Sequence, residues 1–211
     1  EFRMKEINGT VALLTYTNTL VKYDQWLSGL MLTGVLDQDD RICTVDSFLL
    51  NALRRACADG SIEYTPHFLE EIADRHFSGT GLNAKGLASE AEEFVWAGHV
   101  TETEYLTEGI SRTGRKTPLP RNKRAPVWNA ITSMFMEMVE TRKFSRCAAS
   151  CYILESKPVP VVDYLFIDEV QDLPAVVLKA FRTLTKKSMI LTGDSDQSIY
   201  QAGFSFKRAG I

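Results

Sequence analysis

The residues best equipped for chemistry in this sequence are two adjacent carboxylates, Asp168 and Glu169, at the end of the apolar run Val161-Val162-Asp163-Tyr164-Leu165-Phe166-Ile167. An aspartate at a strand tip can hold a magnesium ion through water, because magnesium prefers hard oxygen ligands and keeps much of its hydration. The neighbouring glutamate can orient or deprotonate a water that attacks a terminal phosphate. Such a pair also arises as a plain solvated strand end, so it carries little by itself. A second polar cluster, Gly193-Asp194-Ser195-Asp196-Gln197-Ser198-Ile199-Tyr200, follows after one helical pattern and one further apolar run. That length suits a single right-handed crossover, which would set the second cluster beside the first.

The elements that must position these groups are four short apolar runs that read as strands: Val11 to Thr15, Arg41 to Thr44, Tyr164 to Ile167 and Ser188 to Thr192. Each is followed at once by polar residues. They are Tyr16-Thr17-Asn18, then Asp46-Ser47-Phe48, then Asp168-Glu169 with Gln171-Asp172, then Gly193-Asp194 with Gln197 and Tyr200. Helical patterns begin near Leu20, Phe48 and Pro174, the last an acceptable first-turn proline. Strands alternating with helices imply an α/β fold with a parallel sheet, whose ligands sit at the carboxyl ends of the strands. All four clusters would then share one crevice.

Residues 50–158 form a stretch far too long for an ordinary connection and read as an inserted, mostly α-helical subdomain, leaving 1–49 and 159–211 as the α/β domain. Within the insertion Leu69, Ile72, Ala73 and Phe77 recur at helical spacing, as do Phe94 with Val95, and Trp128, Ile131, Phe135, Met138 and Val139. Their simplest role is the insertion's own core; the alternative is a partner groove. Arg112, Arg115, Lys116, Arg121, Lys123 and Arg124 read as an exposed basic loop, able to grip duplex phosphates or simply to join two helices.

The chain of 211 residues can bury a sizeable core, and its formal net charge of -3 gives no overall pull toward nucleic acid, so any such contact must be local. Cys43, Cys57, Cys147 and Cys151 form no Cys-x-x-Cys pair and read as reduced, partly buried thiols; the last two are spaced for one helix face. His67, His76 and His99 are too scattered to suggest a metal site. No apolar run is long enough for a membrane helix, so a cytoplasmic protein without membrane partners is the expectation.

Asp168-Glu169-Val170-Gln171-Asp172 followed by Gly193-Asp194-Ser195-Asp196-Gln197-Ser198-Ile199-Tyr200 resembles motifs two and three of the UvrD/Rep-like superfamily 1 DNA helicases. Leu14-Thr15-Tyr16-Thr17-Asn18 resembles motif Ia, and Thr44-Val45-Asp46-Ser47-Phe48 resembles motif Ib, both of which line the single-strand path in that family. The resemblance implies a partial RecA-like P-loop NTPase sheet. It also implies a parent protein that couples ATP hydrolysis, with magnesium, to 3′ to 5′ movement on single-stranded DNA. By the same resemblance Asp168 positions magnesium and Glu169 activates water. Gln197 senses the terminal phosphate and contributes to catalysis, while Tyr16, Thr17, Asn18, Thr44, Ser47, Phe48 and Tyr200 face DNA.

Two departures from the family matter. The chain has no Gly-Lys-Thr or Gly-Lys-Ser phosphate loop, which in the family precedes motif Ia and would lie upstream of Glu1. This chain alone is therefore expected to be inactive as an ATPase. Where many relatives carry an aromatic two positions after Tyr200, this chain has Ala202, so base stacking passes to Phe204 or Phe206, or those rings are core. Two rival readings remain: another ATPase sharing only the strand-end carboxylates, and a non-catalytic module whose insertion docks a partner.

Overall fold

The computed structural model describes residues 9–31, 42–107 and 119–193. Its frame is a four-stranded parallel sheet built from β1 (Val11–Thr15), β2 (Ile42–Thr44), β5 (Val162–Ile167) and β6 (Thr185–Leu191), in the order β2-β1-β5-β6. The strands expected from apolar runs are present, with two shifts. β5 begins two residues earlier than its apolar core suggests, and β6 begins at Thr185, directly after helix α8 (Ala175–Leu184). Lys186 and Lys187 hide this start from a hydrophobicity pattern. They are exposed on a strand that pairs on one side only among the described residues, where charge is tolerated and discourages edge-to-edge association.

Helix α1 (Asn18–Met31) follows β1, and α2 (Val45–Ala56) follows β2 without a break. The start of α2 is fixed locally: the Thr44 hydroxyl accepts the Ser47 N–H at 3.1 Å, a side-chain cap that satisfies an otherwise orphaned helix donor. Pro174, expected in the first helical turn, instead stands one residue outside α8 as its cap.

Between α2 and β5 the described residues are mostly helical, as the periodicity implies: α3 (Pro66–His76), α4 (Ala84–Glu90), a π-helical turn (Ala91–Trp96), α5 (Glu102–Thr107), α6 (Arg121–Thr141) and α7 (Arg146–Glu155). Two short strands, β3 (Ser61–Ile62) and β4 (Lys143–Phe144), pair in parallel within this region. Leu69, Ile72, Ala73, Val95, Ile131 and Met138 are buried, while Phe77, Phe94, Trp128, Phe135 and Val139 pack partly buried around them.

One continuous apolar cluster runs from Ala12 and Leu14 in the sheet through Leu49 and Leu53 of α2 to Met134 and Met138 of α6, and on to Phe181 and Leu184 of α8. The helical region and the sheet thus share a core. α7 forms much of the junction, packed against α2 and α8, with Cys147 and Cys151 both buried on it. The expectation of an exposed basic loop is corrected in part: Arg121–Arg124 opens α6, and Arg124 is buried with Nη1 donating to the Tyr105 carbonyl at 3.2 Å. A guanidinium placed there carries apolar stem into the core and cannot face DNA phosphates. Arg112, Arg115 and Lys116 lie outside the described residues.

Candidate functional site

The sheet's register brings the strand ends together. Leu14 pairs with Cys43 on one side and Ile167 on the other, and Ile167 pairs with Leu191. The next residue of each strand therefore falls on one row across the sheet: Thr44, Thr15, Asp168 and Thr192. Parallel pairing aligns carboxyl ends in this way, and it is why four strand ends from segments far apart in sequence stand in one row.

Asp168 is fastened at the middle of that row. Its N–H donates to the Leu14 carbonyl at 3.0 Å, and its Oδ1 accepts the Thr192 hydroxyl at 2.6 Å. The turns beyond β5 and β6 are tied as well, by the Val170 N–H donating to the Thr192 carbonyl at 3.0 Å. Asp24, on α1, borders the same small cavity of about 260 Å³, together with Leu13, Phe166, Ile167, Ile190 and Thr192. Partial burial pushes the Asp24 carboxyl above its ordinary value, and the Asp168 carboxylate pushes in the same direction. Two carboxylates and a hydroxyl border one cavity, a set of hard oxygens of the kind magnesium takes while holding most of its own water, although among the described residues no group of three or more His, Cys, Asp or Glu converges.

Glu169 follows with φ 55° and ψ 43°, the left-handed region that costs a non-glycine residue on the order of 1 kcal/mol. Its Oε2 accepts from the side-chain amide of Gln171, which is buried in the 3-10 turn Val170–Asp172. Asp172, expected to brace the local network, has its Oδ1 buried without a hydrogen-bond partner among the described residues.

A larger cleft of about 630 Å³ opens between the sheet and the helical region. Tyr16, Tyr64 and Arg146 line it near the strand ends; Gln171 and Asp172 reach it from the β5 turn. Arg146 pairs with Asp46 of α2 at 2.8 Å and lies 6.0 Å from the Tyr16 ring centre and 5.5 Å from that of Tyr64. Burial works against the guanidinium's charge, but the Asp46 carboxylate and the Tyr16 hydroxyl outweigh it and hold its pKa above the ordinary value. Burial, assisted by Asp46, pushes the Tyr64 hydroxyl up to about 12. Glu63, Glu70, Glu92, Glu93 and Asp172 also line the cleft, against Lys85 and Arg146 as its cations. Glu92 is held at the start of α7, accepting from Ser145 Oγ at 2.6 Å and the Cys147 N–H at 3.2 Å. Burial raises its carboxyl pKa despite these bonds. Aromatic faces with a neutralised guanidinium and surrounding carboxylates favour a flat, uncharged ring over a phosphate.

The other expected DNA-facing residues fall into two groups. Thr17, Asn18 and Ser47 are exposed at the starts of α1 and α2. Thr17 Oγ1 accepts the Leu20 N–H at 3.2 Å, and Thr44 donates its hydroxyl to Ser47 at 2.9 Å. Phe48 packs edge-on against Phe181, with ring centres 5.3 Å apart, and does not line the cleft with Tyr16. Gln197, Tyr200, Phe204 and Phe206 lie outside the described residues. Sequence reasoning missed Asp24, Tyr64, Asp46 and Arg146. Asp24, Tyr64 and Arg146 stand in no motif, Asp46 was named only as part of the motif Ib segment, and the Asp46–Arg146 pair joins positions 100 residues apart.

A parallel α/β sheet with acidic and hydroxyl groups converging at its strand ends is consistent with a partial RecA-like fold. Residues 156–210 match the family model of the UvrD/REP helicase N-terminal domain, about a quarter of the chain and the part that holds β5, α8 and β6, and this match supports a UvrD/Rep-like helicase fragment. The family implies a parent helicase that uses ATP with magnesium and binds DNA. Comparison with curated proteins gave no match. Among the described residues no helix is long and apolar enough to cross a membrane.

Proposed function

We propose that this chain is the part of an ATP-driven, single-stranded DNA translocase in which the hydrolytic carboxylates meet the DNA path. The observation that carries the reading is Asp168, fixed between the ends of β1 and β6 with Glu169 immediately beside it. Asp168, with Asp24 and the Thr192 hydroxyl nearby, would hold magnesium, which when bound offsets the charge of the nucleotide phosphates. Glu169 takes the proton from a water as the water oxygen bonds to the terminal phosphorus, and the bond from that phosphorus to the bridging oxygen breaks. Gln197 contacts the terminal phosphate, and the phosphate loop comes from the parent protein. This chain by itself does not turn over ATP.

The track runs over the ends of β1 and β2. Bases stack on Tyr16 in the cleft, where carboxylates repel phosphates, and the phosphates pass the exposed Thr17, Asn18 and Ser47 at the starts of two helices, whose N–H groups favour anions. Tyr200 and Phe206 extend the stacking surface. Direction, 3′ to 5′, is taken from the resemblance of the four motifs. The α/β part spans 1–49 and 159–211 and the insertion 50–158, the latter available to duplex DNA at a fork. The protein works in the cytoplasm.

The test is ATP hydrolysis by the full-length protein with and without single-stranded DNA, compared with Glu169→Gln. Stimulation by DNA, a loss of about 100-fold or more in kcat, and retained nucleotide binding are expected. Hydrolysis indifferent to DNA, or unchanged by the substitution, overturns the proposal.

A further inference from the structure

Gln171 is only 4% exposed, yet it is polar and sits in a turn between two functional surfaces. Its Nε2 donates to Glu169 Oε2. Its Oε1 lies so close to Gly193 that a Cβ added there would overlap it, and would also come within 3.1 Å of the Val170 nitrogen. The amide is thus clamped between the β5 turn and Gly193, two residues past the end of β6. Burial at such a site is costly for an amide unless its geometry is used, and an apolar side chain of similar volume would fill the space without that cost. Glu169, in contrast, is only partly buried and stands on a left-handed backbone, so packing alone does not fix its carboxylate.

We propose that Gln171 is a positioning residue for Glu169: its amide, wedged against Gly193, fixes the direction in which the Glu169 carboxylate meets the attacking water. This rests on the proposed role of Glu169 as the base. A base must reach its proton at hydrogen-bond distance, and a misplacement of about 1 Å can cost a large factor in rate. The small residue at 193 is then a requirement of catalysis, since any side chain there displaces the amide that aims the base. Gln171 also lines the cleft at Tyr16 and Arg146, so what enters the cleft bears on the same amide.

The experiment uses the full-length protein and four variants, Gln171→Met, Gly193→Ala, the double variant of these two, and Glu169→Gln, read by kcat, KM for ATP, DNA affinity and Tm. Methionine preserves volume but not the donor. Gln171→Met is expected to lower kcat by about 10-fold while KM for ATP and DNA affinity stay within about 2-fold and Tm is nearly unchanged. Gly193→Ala is expected to give a similar selective loss, and the double variant to be no worse than Gln171→Met alone, because both act through one amide. A Gln171→Met protein with full kcat overturns the inference, as does a loss matched by falling Tm and DNA affinity, which marks a merely structural role. Should Gln171→Met fail to fold, Gly193→Ala decides alone: a selective kcat loss supports the inference and an unchanged kcat overturns it. Full activity of Glu169→Gln would instead remove the base from the reading, a failure visible whatever Gln171 does.

Discussion

Glu169 and Cys147 illustrate how differently two reactive residues can be set by their surroundings. Glu169 is given partial exposure, a polar partner and a backbone conformation that holds it at the strand exit, all of which keep a carboxylate available. Cys147 and Cys151 are 3% and 5% exposed inside the junction helix, and burial, with the Glu92 carboxylate adding to it, pushes both thiols up. Only the thiolate reacts at a useful rate, so both are inert by two routes, access and ionisation. Native protein treated with iodoacetamide at neutral pH should therefore label Cys43 and Cys57, which are half-buried, well before Cys147 and Cys151, as read by peptide mass mapping. Early labelling of Cys147 would mean that α7 opens more readily than its packing implies. The low reactivity follows from tertiary burial; the one-face spacing of the pair on a helix was already visible in the sequence.

Between elements, the clearest polar tie in the helical region joins α3 to α6. Glu137 accepts from Arg75, with Nε at 3.0 Å, and meets His76 Nε2 at 2.8 Å. The Arg75 bond holds the Glu137 carboxyl below its ordinary value against a smaller opposing effect of burial, and His76 adds to it. A carboxylate with a depressed pKa in the folded state contributes stability above its unfolded value of about 4.5, and that contribution is lost as pH falls through the folded value. The site is partly open to solvent, so Glu137→Gln should cost about 0.5 kcal/mol at pH 7 and close to nothing near pH 3. Thermal melts at the two pH values check this, and an equal Tm difference at both would show that the pair does not titrate as described. The helices that carry residues 137, 75 and 76 were readable from periodicity. Their pairing was not, because α3 and α6 are brought together only by the burial of Leu69, Ile72, Ala73, Ile131 and Met138.

At the scale of the molecule, the Asp46–Arg146 pair spans the seam between sheet and helical region, and both groups are more than half buried. Replacing one member strands the other in a poorly solvated place. Arg146→Met should lower stability by about 2 kcal/mol and Tm by roughly 4–8 °C, measured by heat melts of the full-length protein; an unchanged Tm would show the pair to be idle. The sequence by itself determined the order of the four main strands and the helices between them, the mostly helical character of the described residues between α2 and β5, and the acidic pair at the end of β5, because these depend on periodicity, turn chemistry and local spacing. It determined the family resemblance too, since the motifs are contiguous. What only the tertiary structure decided is which distant groups meet: Asp24 beside Asp168, Thr192 on its carboxylate, Gln171 against Gly193, Arg146 over Tyr16, and Arg124 turned inward from what read as a basic surface. Those contacts follow from sheet register and shared burial across tens of residues, and such long-range packing leaves no periodic mark in the chain.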